Sequence, residues 1–387
     1  MHRTTLFALA VLVFYAYAAP VGAQQSDPPT VRERLVQNVQ EPDQGGGLHV
    51  TKHFAIVFGG IKQGSGAAVG PAVSNKFEDG SYLQLKAVYS IRHFKLLQAR
   101  YDSRSFWEER VRLFARARYQ DAPELPVFRL GQESPRLKVD YGERKRELSG
   151  RLLARLSPLV RLSSGFGMER YSTTGGRIEK EDELEGRTLP DIPPLPGIDT
   201  RPWYAHTFVS AAVDSRPSTD YSRRGGVLEA AVHDYHDQED GLQSFERFEL
   251  TAEQLVPMFA GHGVLDVSAQ TWVSHTAGAA VVPFFLMPTL GGGDLLRGYG
   301  SYRFRDRDAL LLQAEYRWAI HKMIDVAGLY EVGKVAPGVK GLSFRHSARS
   351  FAAGIRAHSA TANLFRADLA HGREGFSFKI GFSTGGS

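Results

Sequence analysis

The chain has 387 residues, no cysteine, 40 glycines, 11% aromatic residues and a formal net charge of +5. Without cysteine there is no disulfide framework, so stability has to come from a large core or from a closed hydrogen-bonded sheet. The 47 basic residues are spread along the sequence and form no concentrated patch, which argues against nucleic acid as a partner.

The first element is a basic start at His2 and Arg3, an apolar stretch over 6–19 and the small residues Val21, Gly22 and Ala23. This predicts a cleaved secretory signal peptide over 1–23. The apolar stretch is shorter than the roughly 20 residues a permanent anchor needs. Residues 24–52 read as a short polar leader, punctuated by Pro28, Pro29 and the run Gly45, Gly46, Gly47. Val31, Leu35 and Val39 would share one face of a short helix within it. Beyond the leader the richest apolar window, 277–290, is broken by Pro283 and Pro288, so no transmembrane helix is predicted.

From residue 53 onward the dominant pattern has period two. It predicts strands over 53–61, 66–77, 81–90, 93–102, 108–119, 147–157 and 158–170. It continues with 204–214, 225–236, 245–256, 263–274, 308–318, 323–334, 348–358, 361–370 and 375–383. In the fifth, Val111, Leu113, Ala115, Ala117 and Tyr119 oppose Arg110, Arg112, Arg116 and Arg118. Leu310, Leu312, Ala314, Tyr316 and Trp318 likewise oppose Gln313, Glu315 and Arg317.

About sixteen strands, an even number, with one oily and one charged face, predict an all-β transmembrane antiparallel barrel over 53–383 with a tail at 384–387. The three longest intervals, 120–146, 171–203 and 275–307, all fall on odd-to-even connections. That is where the long outer loops of a bacterial outer-membrane barrel lie. The expected location is therefore the outer membrane, with lipid as a partner.

The run Leu290, Gly291, Gly292, Gly293, Asp294, Leu295, Leu296, Arg297, Gly298, Tyr299 resembles the loop signature of the BamA and TamA type of outer-membrane proteins, also called bacterial surface antigen proteins. Leu296 stands where that family has a β-branched residue. Supporting matches are Asp214, Ser215, Arg216, Pro217 with Arg224 and Gly225; Glu315, Tyr316, Arg317; Leu329, Glu331, Gly333; and the closing Arg373, Gly375, Phe378, Ile380, Phe382. Five residues beyond the terminal aromatic depart from the family's ending.

The resemblance implies that the sixth outer loop folds into the lumen. Arg297 would there grip an inward carboxylate, Glu331 or Glu315, as a bidentate pair that lysine could not reproduce. It also implies a role in assembly or translocation of outer-membrane proteins or lipids through a lateral seam. The first and last strands would meet at that seam, where Gly59, Gly60 and Gly381 weaken the packing. Residues 24–52 are too few for a folded periplasmic domain of the family's kind, so a monomeric barrel-only member is expected. Its partners would be client proteins or a separate periplasmic protein.

The alternative is a passive pore or structural barrel. Arg110, Arg112, Arg116, Arg118, Arg151, Arg155 and Arg161 would form a cationic wall, open to anions or paired with Glu229, Glu249, Glu253, Glu315 and Glu331 across a plugged lumen. His233, Asp234, His236, Asp237 and Asp240 are better read as a solvated loop tip than as a metal site. No nucleophile elbow, zinc-protease or phosphate-loop motif is present, so neither an enzyme nor a cofactor is expected.

Overall fold

The structure, a computed structural model, describes residues 46–136, 138–174, 195–218, 221–359 and 363–382. The expected signal peptide, the helix at 31–39 and the tail lie outside the described residues. Among those described, no helix is long and apolar enough to cross a membrane.

The strands are β1 (Gly46–His49), β2 (Phe54–Gly59), β3 (Ala68–Lys76), β4 (Tyr82–Ser90), β5 (Lys95–Asp102), β6 (Val111–Val127) and β7 (Val139–Arg155). Next come β8 (Val160–Thr174), β9 (Trp203–Asp214), β10 (Gly225–Asp237), β11 (Phe245–Met258) and β12 (Gly263–His275). A small hairpin, β13 (Thr289–Leu290) and β14 (Phe304–Arg305), is followed by β15 (Asp308–His321), β16 (Ile324–Ala336), β17 (Ala348–His358), β18 (Asn363–Gly372) and β19 (Gly375–Phe382).

All but β13 and β14 belong to one 17-stranded sheet. Within it, each strand from β2 to β12 and from β15 to β19 is antiparallel to the next in the chain, and β12 pairs directly with β15. These are the sixteen strands that the alternation predicts.

Two differences stand out. The interval 120–146, expected to be a loop, is mostly strand: β6 and β7 are each 17 residues long, leaving only 128–138 between them. Pro123 and Pro126 do not end the strand: a register shift between Ala122 and Leu125 absorbs the interruption and the ladder resumes at Leu125↔Tyr141. Secondly, the leader contributes a strand. Gly46↔Phe58 through His49↔Ala55 pair β1 with β2, although the glycine run reads as a turn. Thr51 closes this hairpin, its hydroxyl oxygen accepting from the backbone N–H of His53 and of Phe54.

The period-two pattern sorts the side chains by face. Along β16, Asp325, Ala327, Leu329, Glu331, Gly333 and Val335 are buried or nearly so, while Val326, Gly328 and Tyr330 are exposed. Along β7 the buried set is Asp140, Tyr141, Glu143, Lys145 and Glu147, with Leu148 exposed at 63%. The sheet therefore buries its charged face and exposes a band of large apolar residues that includes Phe166, Val209, Phe351, Ile355 and Phe378.

Candidate functional site: the loop between β12 and β15

Residues 276–307 run across the buried face and meet strands from distant parts of the sheet. Val282, Phe284, Phe285, Leu286 and Met287 pack with Phe94, Tyr141, Tyr171, Tyr204, Tyr235 and Phe245. Further on, Leu290, Leu295, Leu296 and Tyr299 pack with Trp272, Leu311, Val335 and Ala348. Arg305 ties the first cluster together. Its guanidinium donates to the Phe284 carbonyl at 2.8 Å and lies 5.4 to 5.9 Å from the Tyr141, Phe284 and Tyr302 rings. Removing this many apolar and aromatic surfaces from water holds the segment before any polar contact is counted.

The turn itself is built by backbone geometry. Gly291, Gly292 and Gly293 have φ of +111°, +78° and +55°, values that side-chain-bearing residues rarely adopt. Leu296 also lies in the left-handed region, at φ +64°, where a β-branched residue would be more strained. Gly298 is required for a different reason. A Cβ there would stand 2.7 Å from the Gly372 nitrogen, the His371 carbonyl carbon and the Ser350 hydroxyl. The loop backbone thus rests directly on the β18–β19 hairpin.

Arg297 is buried at the centre of this contact. Its Nη1 is 3.0 Å from Glu331 Oε1, and its backbone N–H donates to Glu331 Oε2 at 2.5 Å. Gln313 Nε2 donates to the same Oε1 at 2.7 Å and to the Asp294 carbonyl at 2.8 Å. Arg297 Nε lies 3.4 Å from Asp368, and Nη2 lies 3.7 Å from Asp294. Gly298 N–H donates to the Ser350 hydroxyl at 2.7 Å, Ser377 donates to the Arg297 carbonyl, and the Arg373 N–H donates to the Tyr299 phenol. Four strands, β16 to β19, therefore grip three consecutive loop residues.

The charges continue as a ladder. Asp368 also takes Arg356 at 2.6 Å, Arg356 reaches Glu315 at 2.7 Å, and Arg317 lies 3.8 Å from Glu315 and 3.9 Å from Asp266. The turn between β9 and β10 adds Arg216, which pairs with Asp214 at 3.0 Å and Glu253 at 2.7 Å. It also adds Tyr221, which donates to the fully buried Asp325 and stacks on His358. Burial and that hydrogen bond push the Tyr221 phenol up to about 12. On β7 and β8, Glu147 receives Arg116 and Lys145, and Glu169 receives Lys145 and His206.

The expected site residues come together with four corrections. Glu331 faces Arg297, but Glu315 belongs to Arg356. The Arg297 to Glu331 contact is not a guanidinium fork, because one carboxylate oxygen takes the backbone N–H. Arg110 does not face inward; it lies in the β5–β6 turn with Glu108, both largely exposed. The remaining basic residues with close acidic partners meet them on adjacent strands, as Arg116 does at Glu147 and Arg161 at Asp214, and not across the molecule.

The seam glycines also have other tasks. Residues 55–58 of β2 are paired with β1 on one side and β3 on the other, so β19 does not hold that edge. Gly59 pairs with Ala68, Gly60 follows the strand, and Gly381 faces Arg366, whose side chain occupies the space a Cβ would need. Asp368, Arg356, Ser350 and Ser377 were not singled out in the sequence. Each lies on the polar parity of its expected strand, a signal that becomes specific only once the loop's position is known.

No protein-family profile matches the chain, and no curated protein matches it. Solved structures do. BamA from Haemophilus ducreyi lacking POTRA domains 1–3 matches with a TM-score of 0.63 at 12% identity, over 90% of this chain and 76% of that one. CdiB from Acinetobacter baumannii matches with a TM-score of 0.53 at 10% identity, over 88% of this chain and 58% of that one. CdiB from Escherichia coli also gives 0.53 at 10% identity, over 86% and 62%. The chain thus spans less than two thirds of either CdiB. Its sixteen-strand antiparallel sheet has the fold of the BamA and CdiB proteins.

Proposed function

We propose that the sheet closes into an outer-membrane barrel with residues 276–307 inside its lumen, and that the protein assembles or translocates outer-membrane proteins or lipids at the edge of β2. The observation that carries the membrane reading is the inverted distribution of residues. Leucine, valine and phenylalanine are exposed as a band while arginine, lysine and carboxylates are buried and paired, which lipid outside and a polar filling inside would stabilise. The fold shared with BamA and CdiB supports the same assignment.

The edge of β2 is the working part of the proposal. It is covered over four residues by β1, a short strand that offers few backbone hydrogen bonds. An extended client strand would displace it and pair with β2 by strand addition. Arg297 and Glu331 would keep the loop seated while that edge opens, so that the barrel does not collapse or leak. The partners are then client strands, lipid, or a separate periplasmic protein that delivers them, and no bond-making chemistry is assigned to the chain.

The second reading is a passive pore or structural barrel. Against an open pore, residues 282–299 of the loop pack on the buried face against Phe94, Tyr141, Tyr204, Trp272, Leu311 and Val335. Reconstitution in liposomes with a small outer-membrane client separates the readings. Faster client folding supports assembly; ion current without any client effect supports a pore; neither supports a structural barrel.

A further inference from the structure

On the exposed face, four consecutive strands place Tyr119, Arg146, Arg170 and Trp203 side by side in one row. Arg146 and Arg170 are directly opposite each other and both exposed, an arrangement of like charges that is unfavourable unless an anion joins them. Glu239 approaches Arg170 at 3.8 Å, with both side chains about half exposed, so solvent screens that pair. Arg144, farther toward the loops, reaches Asp121 at 3.8 Å.

The next row away from the loops is Ala99, Ala117, Leu148, Met168 and Ala205. Because the alanines are short, Ala99 and Ala117 floor an open depression of about 700 Å³ whose exposed lining is mostly apolar, with Leu85, Leu97, Leu148, Met168 and Trp203 around it, Lys86, Gln98, Arg118 and Glu147 at its base, and Arg146 and Arg170 reaching it. A cationic pair flanked by two aromatics thus stands beside an apolar depression, with Trp203 at the start of β9, Arg170 near the end of β8, and Tyr119 and Arg146 midway along β6 and β7.

We propose that this is a binding site for a phosphate-bearing lipid of the outer leaflet. The phosphate sits between the two guanidinium groups, which suit its oxygens as forked donors. An acyl chain lies along the alanine floor, and Tyr119 and Trp203 sit at headgroup level. The site rests on the outer-membrane reading and deepens it: the lipid contacts this wall at a fixed place, on β6 to β9, well away from the edge of β2.

The test titrates the full chain, folded in detergent micelles, with lipid A in native mass spectrometry. The wild type is expected to hold one lipid A roughly tenfold more tightly than Arg146→Gln/Arg170→Gln. Lipid A stripped of its phosphates is expected to bind the wild type as weakly as the intact lipid binds the double variant. Ala117→Trp, which fills the trough and keeps both arginines, is expected to weaken lipid A binding as well.

Equal binding by wild type and double variant, or equal binding of the stripped lipid, overturns the proposal, and so does inorganic pyrophosphate binding as tightly as lipid A. A chain that stays folded and monodisperse without detergent overturns the membrane reading and this site with it, and that result is seen before any lipid is added.

Discussion

Replacing Glu331 with glutamine tests the loop lock at its centre. The change preserves size but removes the charge that faces Arg297, and it substitutes an amide donor for one of two oxygens that accept three hydrogen bonds. Breaking a fully buried ion pair costs about 3–5 kcal/mol. Asp368 at 3.4 Å and Asp294 at 3.7 Å still neutralise Arg297, which places the loss at the lower end, about 3 kcal/mol.

Urea unfolding in lipid vesicles, followed by tryptophan fluorescence, reads this directly because Trp272 is buried against Leu296 and Tyr299. Arg297→Met alone should cost a similar amount, since it leaves Glu331 buried with only Gln313 and backbone donors. The double variant should be no worse than the poorer single one, with a coupling of about 3 kcal/mol. A loss below about 1 kcal/mol for Glu331→Gln, or strictly additive losses, would refute the reasoning.

Gly298→Ala drives a methyl group into the β18–β19 backbone and should cost about 1–3 kcal/mol in the same assay, whereas Gly300→Ala, with open space around it, should change little. The Tyr221 phenol is held up at about 12, above its unfolded value near 10, so its contribution to stability is complete below pH 10 and is lost as pH rises through 12. The difference in phenolate absorbance between wild type and Tyr221→Phe should therefore develop near pH 12, and a difference centred near 10 would contradict its burial against Asp325. Deleting 46–49 should uncover the edge of β2 and speed the folding of a client in liposomes; unchanged or slower folding would count against β1 as a displaceable cover.

Much of the architecture was legible because it is set by period-two alternation, which survives any detail of packing. The parity of Glu331, Arg317 and Tyr330 could be read from β16 and β15 alone, and the position of Arg297 followed from a glycine-rich run with a recognisable order. Longer-range choices were not legible. Arg297 takes Glu331 and Asp368 while Glu315 takes Arg356, because strand register and loop depth decide between acids of equal chemistry.

Residues 120–127 and 139–146 read as loop and are strand, because a single shift in the β6–β7 ladder accommodates Pro123 and Pro126. The run Gly45, Gly46, Gly47 read as a turn because glycine carries no facial signal, yet Gly46 and Gly47 enter a strand through backbone pairing with β2. Gly381 looked like a weak point in a seam and is instead the space into which the Arg366 side chain folds.

The most direct test of the account joins β1 to β2. Leu48 and Ile56 are paired in register, so Leu48→Cys with Ile56→Cys can be oxidised to a disulfide that holds the cover in place. The protein, reconstituted in liposomes, is assayed for the folding rate of a small outer-membrane client and for ion current, before and after reduction. The account predicts slow client folding while the disulfide is intact, acceleration on reduction, and no steady current in either state. Equal folding rates in both states, or a persistent current with no effect on the client, would contradict it.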